Sequence, residues 1–200
     1  MLAKRIFDVV VAILLLLLTL PLFCMIAVGI AASSPGPYIY KGSRTGRWGR
    51  SFRIWKFRTM IVDAESKGGG TTALGDPRVF PFGRFLRNMK LDELPQLINV
   101  VRGDMSLVGP RPELAIYTNR YTDEEKAILT VPPGITDYSS IRFSSLDKLV
   151  GAKEADRVFE ERVLPEKNRL RLEYVRSRTF GGDLKILVLT GWCILRKAFR

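Results

Sequence analysis

The dominant feature of the polarity pattern is an apolar run, VVVAILLLLLTLPLFCMIAVGIAA, which extends from Val9 to Ala32 without a single charge. As a straight α-helix it measures roughly 36 Å, enough to cross a hydrocarbon core of about 30 Å. Pro21 falls near its middle, where it removes the hydrogen bond to the Leu17 carbonyl and presses against that group, favouring a kink. Bent sharply there, each arm is about 16–18 Å long, too short to span alone, and both ends return to one side. Lys4 and Arg5 precede the run, and Lys41, Arg44, Arg47 and Arg50 follow it. Basic flanks at both ends give a single span no preferred orientation and suit a re-entrant helix. Re-entrant is the expectation, and a simple span is the alternative. A cleaved leader fits poorly, because the run is long and Asp8 directly precedes it.

After a helix-breaking ASSPGP (32–37), two β-rich stretches, around Tyr38–Lys41 and Phe52–Phe57, flank Gly42, Gly46 and Gly49. This predicts a hairpin, and a strongly cationic one, since no acid occurs between Asp8 and Asp63. ESKGGGTTALGDP (65–77) contains no Walker sequence and reads as a surface loop unless it folds over a substrate. PFGRFLRNMK (81–90) fits a short helix opened by proline, with Phe82, Phe85, Leu86 and Met89 as its apolar stripe. Residues 183–200 form an apolar segment with basic residues at its end, either a docked helix or one lying at a membrane interface.

Composition narrows the chemistry. The 200 residues carry a net charge of +12 and no histidine, so Ser-His-Asp or Cys-His catalysis and imidazole metal ligation are excluded. The positive charge points to an anionic partner. For the 41–58 hairpin, next to an apolar helix, lipid headgroups or phosphates are favoured over nucleic acid. Cys24 and Cys193 lie in apolar stretches and read as small hydrophobes, not as a disulfide.

Against this basic background, Asp92 and Glu93 in RFLRNMKLDELPQLINV (84–100) stand out. One reading makes Asp92 the N-cap of a following helix, with Pro95 in its first turn. The other makes the pair chemical. Carboxylates beside Arg87 and Lys90 are held ionised, the same cations attract phosphate, and an aspartate can attack phosphorus while a neighbouring acid holds Mg²⁺.

KRIFD (4–8), KFRTM (56–60), LDELPQLINVVRGDMSLVGPRPE (91–113) and PPGIT (132–136), in that order, resemble the small monotopic phosphoglycosyl transferases, a bacterial sugar transferase family. The resemblance covers nearly the whole chain. It implies an α+β, mainly helical fold, with a re-entrant anchor over 1–36 kinked at Pro21. A cytosolic domain over 37–200 then carries interfacial helices and a small antiparallel hairpin. The implied activity is transfer of a sugar-1-phosphate from a UDP-sugar to a polyprenol phosphate at the bacterial inner membrane, with Mg²⁺ and a covalent phosphosugar intermediate. The product would pass to downstream glycosyltransferases. By matching position, Asp92 becomes the nucleophile, and Glu93 a partner in placing Mg²⁺ or the acceptor. Arg87, Lys56, Arg58 and Arg111 become substrate contacts, and Pro110 and Pro112 the rigid flanks of Arg111. Two departures stand out. Leu20-Pro21 replaces the family's usual Ser-Pro, and PGITDYSSIRF (133–143) lacks the usual Gly- and Gln-containing continuation. The competing reading is a non-catalytic anchored module that binds lipid or nucleic acid through the basic hairpin.

Overall fold

The computed structural model describes residues 2–64 and 66–198. The apolar run forms a single helix, α1 (Leu2–Ser33), which continues through Pro21. The sharp bend expected at Pro21 therefore does not divide it into two elements, because proline deletes one rung of the hydrogen-bond ladder and leaves the others. Thr19 Oγ1 donates back to the Leu15 carbonyl at 2.6 Å, one turn below. Leu14, Leu17, Leu18 and Leu20 are exposed, so the helix is long and apolar enough to cross a membrane and buries little of itself in protein.

Both ends of α1 are nevertheless fastened to the rest of the chain. At the start, Lys4 Nζ lies 2.7 Å from Asp183 and 3.6 Å from Asp8, while Asp8 accepts a 2.6 Å bond from the Ser106 hydroxyl. Arg5 donates to the carbonyls of Val100 and Val101, capping the end of another helix, and Phe7 meets Phe180 edge-to-face at 5.3 Å. At the far end, the Arg58 guanidinium donates to the carbonyls of Ser34 and Pro35 and to the Ser34 hydroxyl. These bonds satisfy carbonyls that a helix terminus leaves open. KRIFD and the arginine of KFRTM are thus the fastenings of the apolar helix.

Strands β1 (Ile39–Thr45) and β2 (Ser51–Phe57) form the expected antiparallel hairpin, with Gly42 opposite Ile54. The turn carries Trp48 at a φ of 58°. Helix α2 (Pro81–Asn88) opens on its proline as predicted. Its buried face differs from the expected stripe. Gly83 sits against the Thr59 backbone and Leu86 is fully buried, whereas Phe85 is exposed and stacks on Phe82 at 6.0 Å. Close backbone approach at Gly83, not the row of large side chains, sets how α2 docks.

Helix α3 (Gln96–Arg102) packs under the hairpin through Asn99, whose side chain accepts from the Trp55 N–H at 2.9 Å and donates to the Arg53 carbonyl at 2.8 Å. One amide side chain thereby pairs the free edge of β2. Beyond it, β3 (Ser106–Val108) pairs in parallel with β4 (Gly134–Thr136). A Cβ on Gly134 would lie 2.0 Å from the Gly109 nitrogen. Gly134→Ala is expected to destabilise the protein by at least ~2 kcal/mol, because backbone on backbone cannot give way. Thermal unfolding in detergent measures this.

The remainder is helical. Short helices α4 (Ala115–Thr118), α5 (Tyr138–Arg142), α6 (Leu146–Val150) and α7 (Ala155–Val158) precede a π-helical turn at Phe159–Val163 and the longer α8 (Leu164–Ser177). Helix α9 (Phe180–Ala198) turns Ile186 and Leu187 toward the core and leaves Val188, Trp192 and Leu195 exposed. It is docked on one face and apolar on the other. The last two residues of the basic end expected there, Phe199 and Arg200, lie outside the described residues.

Candidate active site

The chain reaches Asp92 through an unusual joint. Helix α2 ends, Lys90 adopts the left-handed conformation (φ 59°), and a single 3₁₀ turn, Leu91–Glu93, follows before α3 begins at Gln96. Asp92 is therefore not the N-cap of α3: Pro95 occupies that position and no side chain caps the helix. Leu91 and Leu94 pack into the core formed by Ile26, Ile30, Phe57, Phe80 and Leu86. With three residues per 3₁₀ turn, that packing directs the two acids elsewhere, and both line a cavity of about 870 Å³.

The acids differ sharply in their surroundings. Glu93 is fully engaged, taking both terminal nitrogens of Arg111 (one bond at 2.9 Å to Oε2, the other to Oε1) and Lys56 Nζ at 3.3 Å. Burial alone would raise its pKa, but Arg111 and Lys56 hold it well below the usual glutamate value. Asp92 is buried, and among the described residues its carboxylate has no hydrogen bond and no ion pair. Burial, and then the charge of Glu93, raises its pKa against the opposing pull of Lys56, Lys90 and Arg87. One acid is held in place and the other is free to react.

Arg111 is aimed by its backbone. Its N–H donates to Asp137 at 3.2 Å and its guanidinium also donates to the Ile135 carbonyl, while the carbonyl of buried Pro110 accepts from Gly134. Pro112 lines the cavity and Pro110 lies behind it. Arg87 enters from α2, donating to Thr59 at 2.8 Å and to the Thr72 hydroxyl at 2.9 Å. The glycine-rich loop thus forms part of the wall: Gly70 to Asp76 line the cavity, and the Thr71 N–H is tied to Asp156 at 2.7 Å. Its first residue, Glu65, lies outside the described residues. Lys56, Arg87 and Arg111 converge with Asp92 and Glu93, and Arg44 of the hairpin joins them. Arg58 does not, since its guanidinium caps α1.

Sequence reasoning passed over a second cluster. Glu113 and Lys167 line the same cavity, their side chains 3.0 Å apart, with Arg171 fully buried behind Glu113 at 2.7 Å. The Glu113 carboxyl is lowered to about 2: burial would raise it, but Lys167 and Arg171 outweigh that effect. The only hint in the sequence was a glutamate directly after the PRP triplet. Elsewhere the lining turns more apolar, with Leu15 of α1 and Leu187, Cys193 and Ile194 of α9 beside the hydroxyls of Thr19 and Thr190.

As a cation site the arrangement offers the open carboxylate of Asp92, because both oxygens of Glu93 already accept from Arg111 and Lys56. Among the described residues no cluster of three or more His, Cys, Asp or Glu occurs. One free carboxylate fits Mg²⁺, which takes one or two protein carboxylates and fills its other positions with water and phosphate oxygens.

The family model described as bacterial sugar transferase matches residues 1–197. The UDP-glucose:undecaprenyl-phosphate glucose-1-phosphate transferase of Escherichia coli (strain K12) is 39% identical over 192 residues, covering 94% of this chain and 39% of that protein. The Caulobacter vibrioides transferase of the same name is 37% identical over 192 residues, covering 94% of this chain and 68% of that protein. The putative undecaprenyl-phosphate N-acetylgalactosaminyl 1-phosphate transferase of Bacillus subtilis (strain 168) is 41% identical over 121 residues, 60% of this chain and 68% of that protein. The chain thus spans about two fifths of the first relative and about two thirds of the other two. A match that runs from the fastened apolar helix through the Asp92 turn and on into α9 places this chain in the bacterial sugar transferase family.

Proposed function

We propose that the chain is a phosphoglycosyl transferase that moves a sugar-1-phosphate from a UDP-sugar to a polyprenol phosphate. The observation that carries this reading is the buried, unpartnered Asp92 carboxylate in a cavity edged by Arg87, Lys56 and Arg111. The names of the three relatives supply the substrate class. Asp92 attacks the sugar-bearing phosphorus, the bond to the UMP oxygen breaks, and UMP leaves with that electron pair. The polyprenol phosphate oxygen then attacks the same phosphorus and expels the Asp92 carboxylate, leaving a polyprenyl diphosphate sugar. Arg87 releases Thr72 to take phosphate oxygens, and Arg111 and Lys56 hold Glu93 while facing the diphosphate. Asp92 would hold Mg²⁺ together with substrate oxygens, and the bound ion would supply charge neutralisation on the diphosphate.

The apolar wall between α1 and α9 suits an isoprenoid tail, so the acceptor enters from the membrane and the donor from water. We place the catalytic domain on the cytoplasmic face of the inner membrane, with α1 entering and leaving on that side. Its two fastened ends support this topology, since a helix held to one domain at Lys4 and again at Ser34 cannot deliver its ends to opposite faces. The hairpin belongs to the site and not to a separate binding module, because Arg44 and Lys56 line the cavity.

Purified protein in nanodiscs, given Mg²⁺, polyprenol phosphate and a panel of UDP-sugars, is expected to release UMP with at least one sugar, and chelation should stop it. Folded protein that releases none sinks the proposal. Single cysteines at positions 2 and 35 are expected to react with an impermeant maleimide from the same side. Labelling from opposite sides would make α1 a simple span.

A further inference from the structure

We propose that Glu113 and Lys167 form a recognition centre for the hydroxyl groups of the donor sugar. The proposal rests on the transferase reading and adds to it a site that selects the sugar.

Four observations carry it. The first is an asymmetry in Glu113. Its Oε1 accepts from both Lys167 and Arg171, while Oε2 accepts from nothing among the described residues and is not sealed from the cavity. An open carboxylate oxygen with two lone pairs is an acceptor for neighbouring hydroxyls. The second is Lys167. Its ammonium is nearly buried, gives one recorded bond to Glu113, and stands 4.9 Å from the centre of the Phe159 ring. It keeps N–H groups for oxygens that accept. The third is Tyr117, a residue of the cavity wall whose hydroxyl is buried behind the surface and makes no hydrogen bond of ordinary geometry, with Thr71 as a polar neighbour. Its ring lies 5.1 Å from Phe159, so the polar atoms sit on an aromatic wall. Buried polar atoms without partners are uncommon in native proteins and call for an explanation.

The fourth is the shared scaffold. Arg171 braces Glu113 from behind and stands 3.8 Å from Asp137, the same carboxylate that accepts the Arg111 N–H. The centre that faces phosphate and the centre that faces the sugar are therefore built on one buried framework.

The chemistry fits hydroxyls better than the donor's other parts. A phosphate would meet the open oxygen of an ionised carboxylate. Uracil presents one donor between two acceptors, whereas sugar hydroxyls each donate and accept, matching an acid and an ammonium side by side.

Calorimetric binding of UDP-sugars and of UMP to the full chain in nanodiscs, without acceptor, tests this independently of turnover. In Glu113→Gln and Lys167→Gln, affinity for the preferred UDP-sugar is expected to fall about ten- to a hundredfold, while UMP affinity stays the same. Parallel loss of UMP affinity would assign the centre to uracil and overturn the proposal, as would unchanged UDP-sugar affinity in a folded variant. If both variants fail to fold, deoxy-sugar donors on the wild type decide. Loss of about tenfold on removal of a hydroxyl supports the centre. Equal binding of every deoxy donor overturns it. Wild-type protein that discriminates among UDP-sugars yet never releases UMP would sink the transferase reading and leave this one standing.

Discussion

Asp92→Asn is expected to abolish UMP release, by about 10⁴-fold or more, because an amide cannot form the acyl-phosphate. Membrane association should persist, since α1 is fastened through Lys4, Asp8 and Arg58, none of which touches Asp92. Radiolabelled sugar phosphate should stay on wild-type protein when acceptor is withheld, and should not label the variant. The raised pKa adds a signature in pH. Turnover needs the ionised carboxylate, so its acid limb should lie above the ordinary aspartate value. Stability runs the other way. A carboxyl whose folded pKa exceeds its unfolded one destabilises the fold progressively as pH rises from the unfolded value through the folded one. Asp92→Asn should therefore melt no lower than wild type, and any advantage should fade as pH falls. A variant that melts well below wild type would make Asp92 a structural acid.

Arg111→Met is expected to cost at least ~100-fold in turnover and about 2–4 kcal/mol in stability. It removes both fork bonds from Glu93 and leaves a buried carboxylate with Lys56 alone. Because the folded pKa of Glu93 is depressed, its pairing stabilises the protein above the ordinary glutamate value and is lost as pH falls through the folded value. The variant should therefore show its largest loss of stability at neutral pH and approach wild type in acid. Arg111→Lys keeps the charge without the fork and should recover only part of either loss. Turnover within threefold of wild type in Arg111→Met would remove Arg111 from the site.

The hairpin and α2 were legible in the sequence because both are local: alternating apolar residues around glycines, and a proline opening a short helix. The acid pair stood out against the basic background, and the motif order carried the family. The surroundings of the pair were not legible. Asp92 reads as a helix cap until Lys90 is seen in the left-handed conformation, with a separate turn between α2 and α3. Arg58 reads as a substrate contact because it shares KFRTM with Lys56, and i, i+2 residues share a strand face, yet β2 ends at Phe57 and Arg58 lies beyond it. Lys56 turns to Glu93 and Arg58 to the end of α1. The β3–β4 pair joins residues 106–108 to 134–136, and nothing local marks such a contact. The asymmetry between Glu93 and Asp92 depends on Arg111, eighteen residues from Glu93.

The fastening of α1 at both ends also shapes kinetics. On the proposed topology it fixes Asp92 at one height relative to the bilayer. A lipid-borne acceptor then finds the nucleophile by diffusing in a plane, while the donor searches a volume. Acceptor supply is accordingly set by mole fraction among the lipids and not by bulk concentration. Diluting polyprenol phosphate with inert lipid should slow turnover, whereas adding buffer to the same vesicles should leave the acceptor-limited step unchanged. Cutting one fastening, as in Lys4→Ala, should blunt that dependence, because the nucleophile would no longer be held at the acceptor's height.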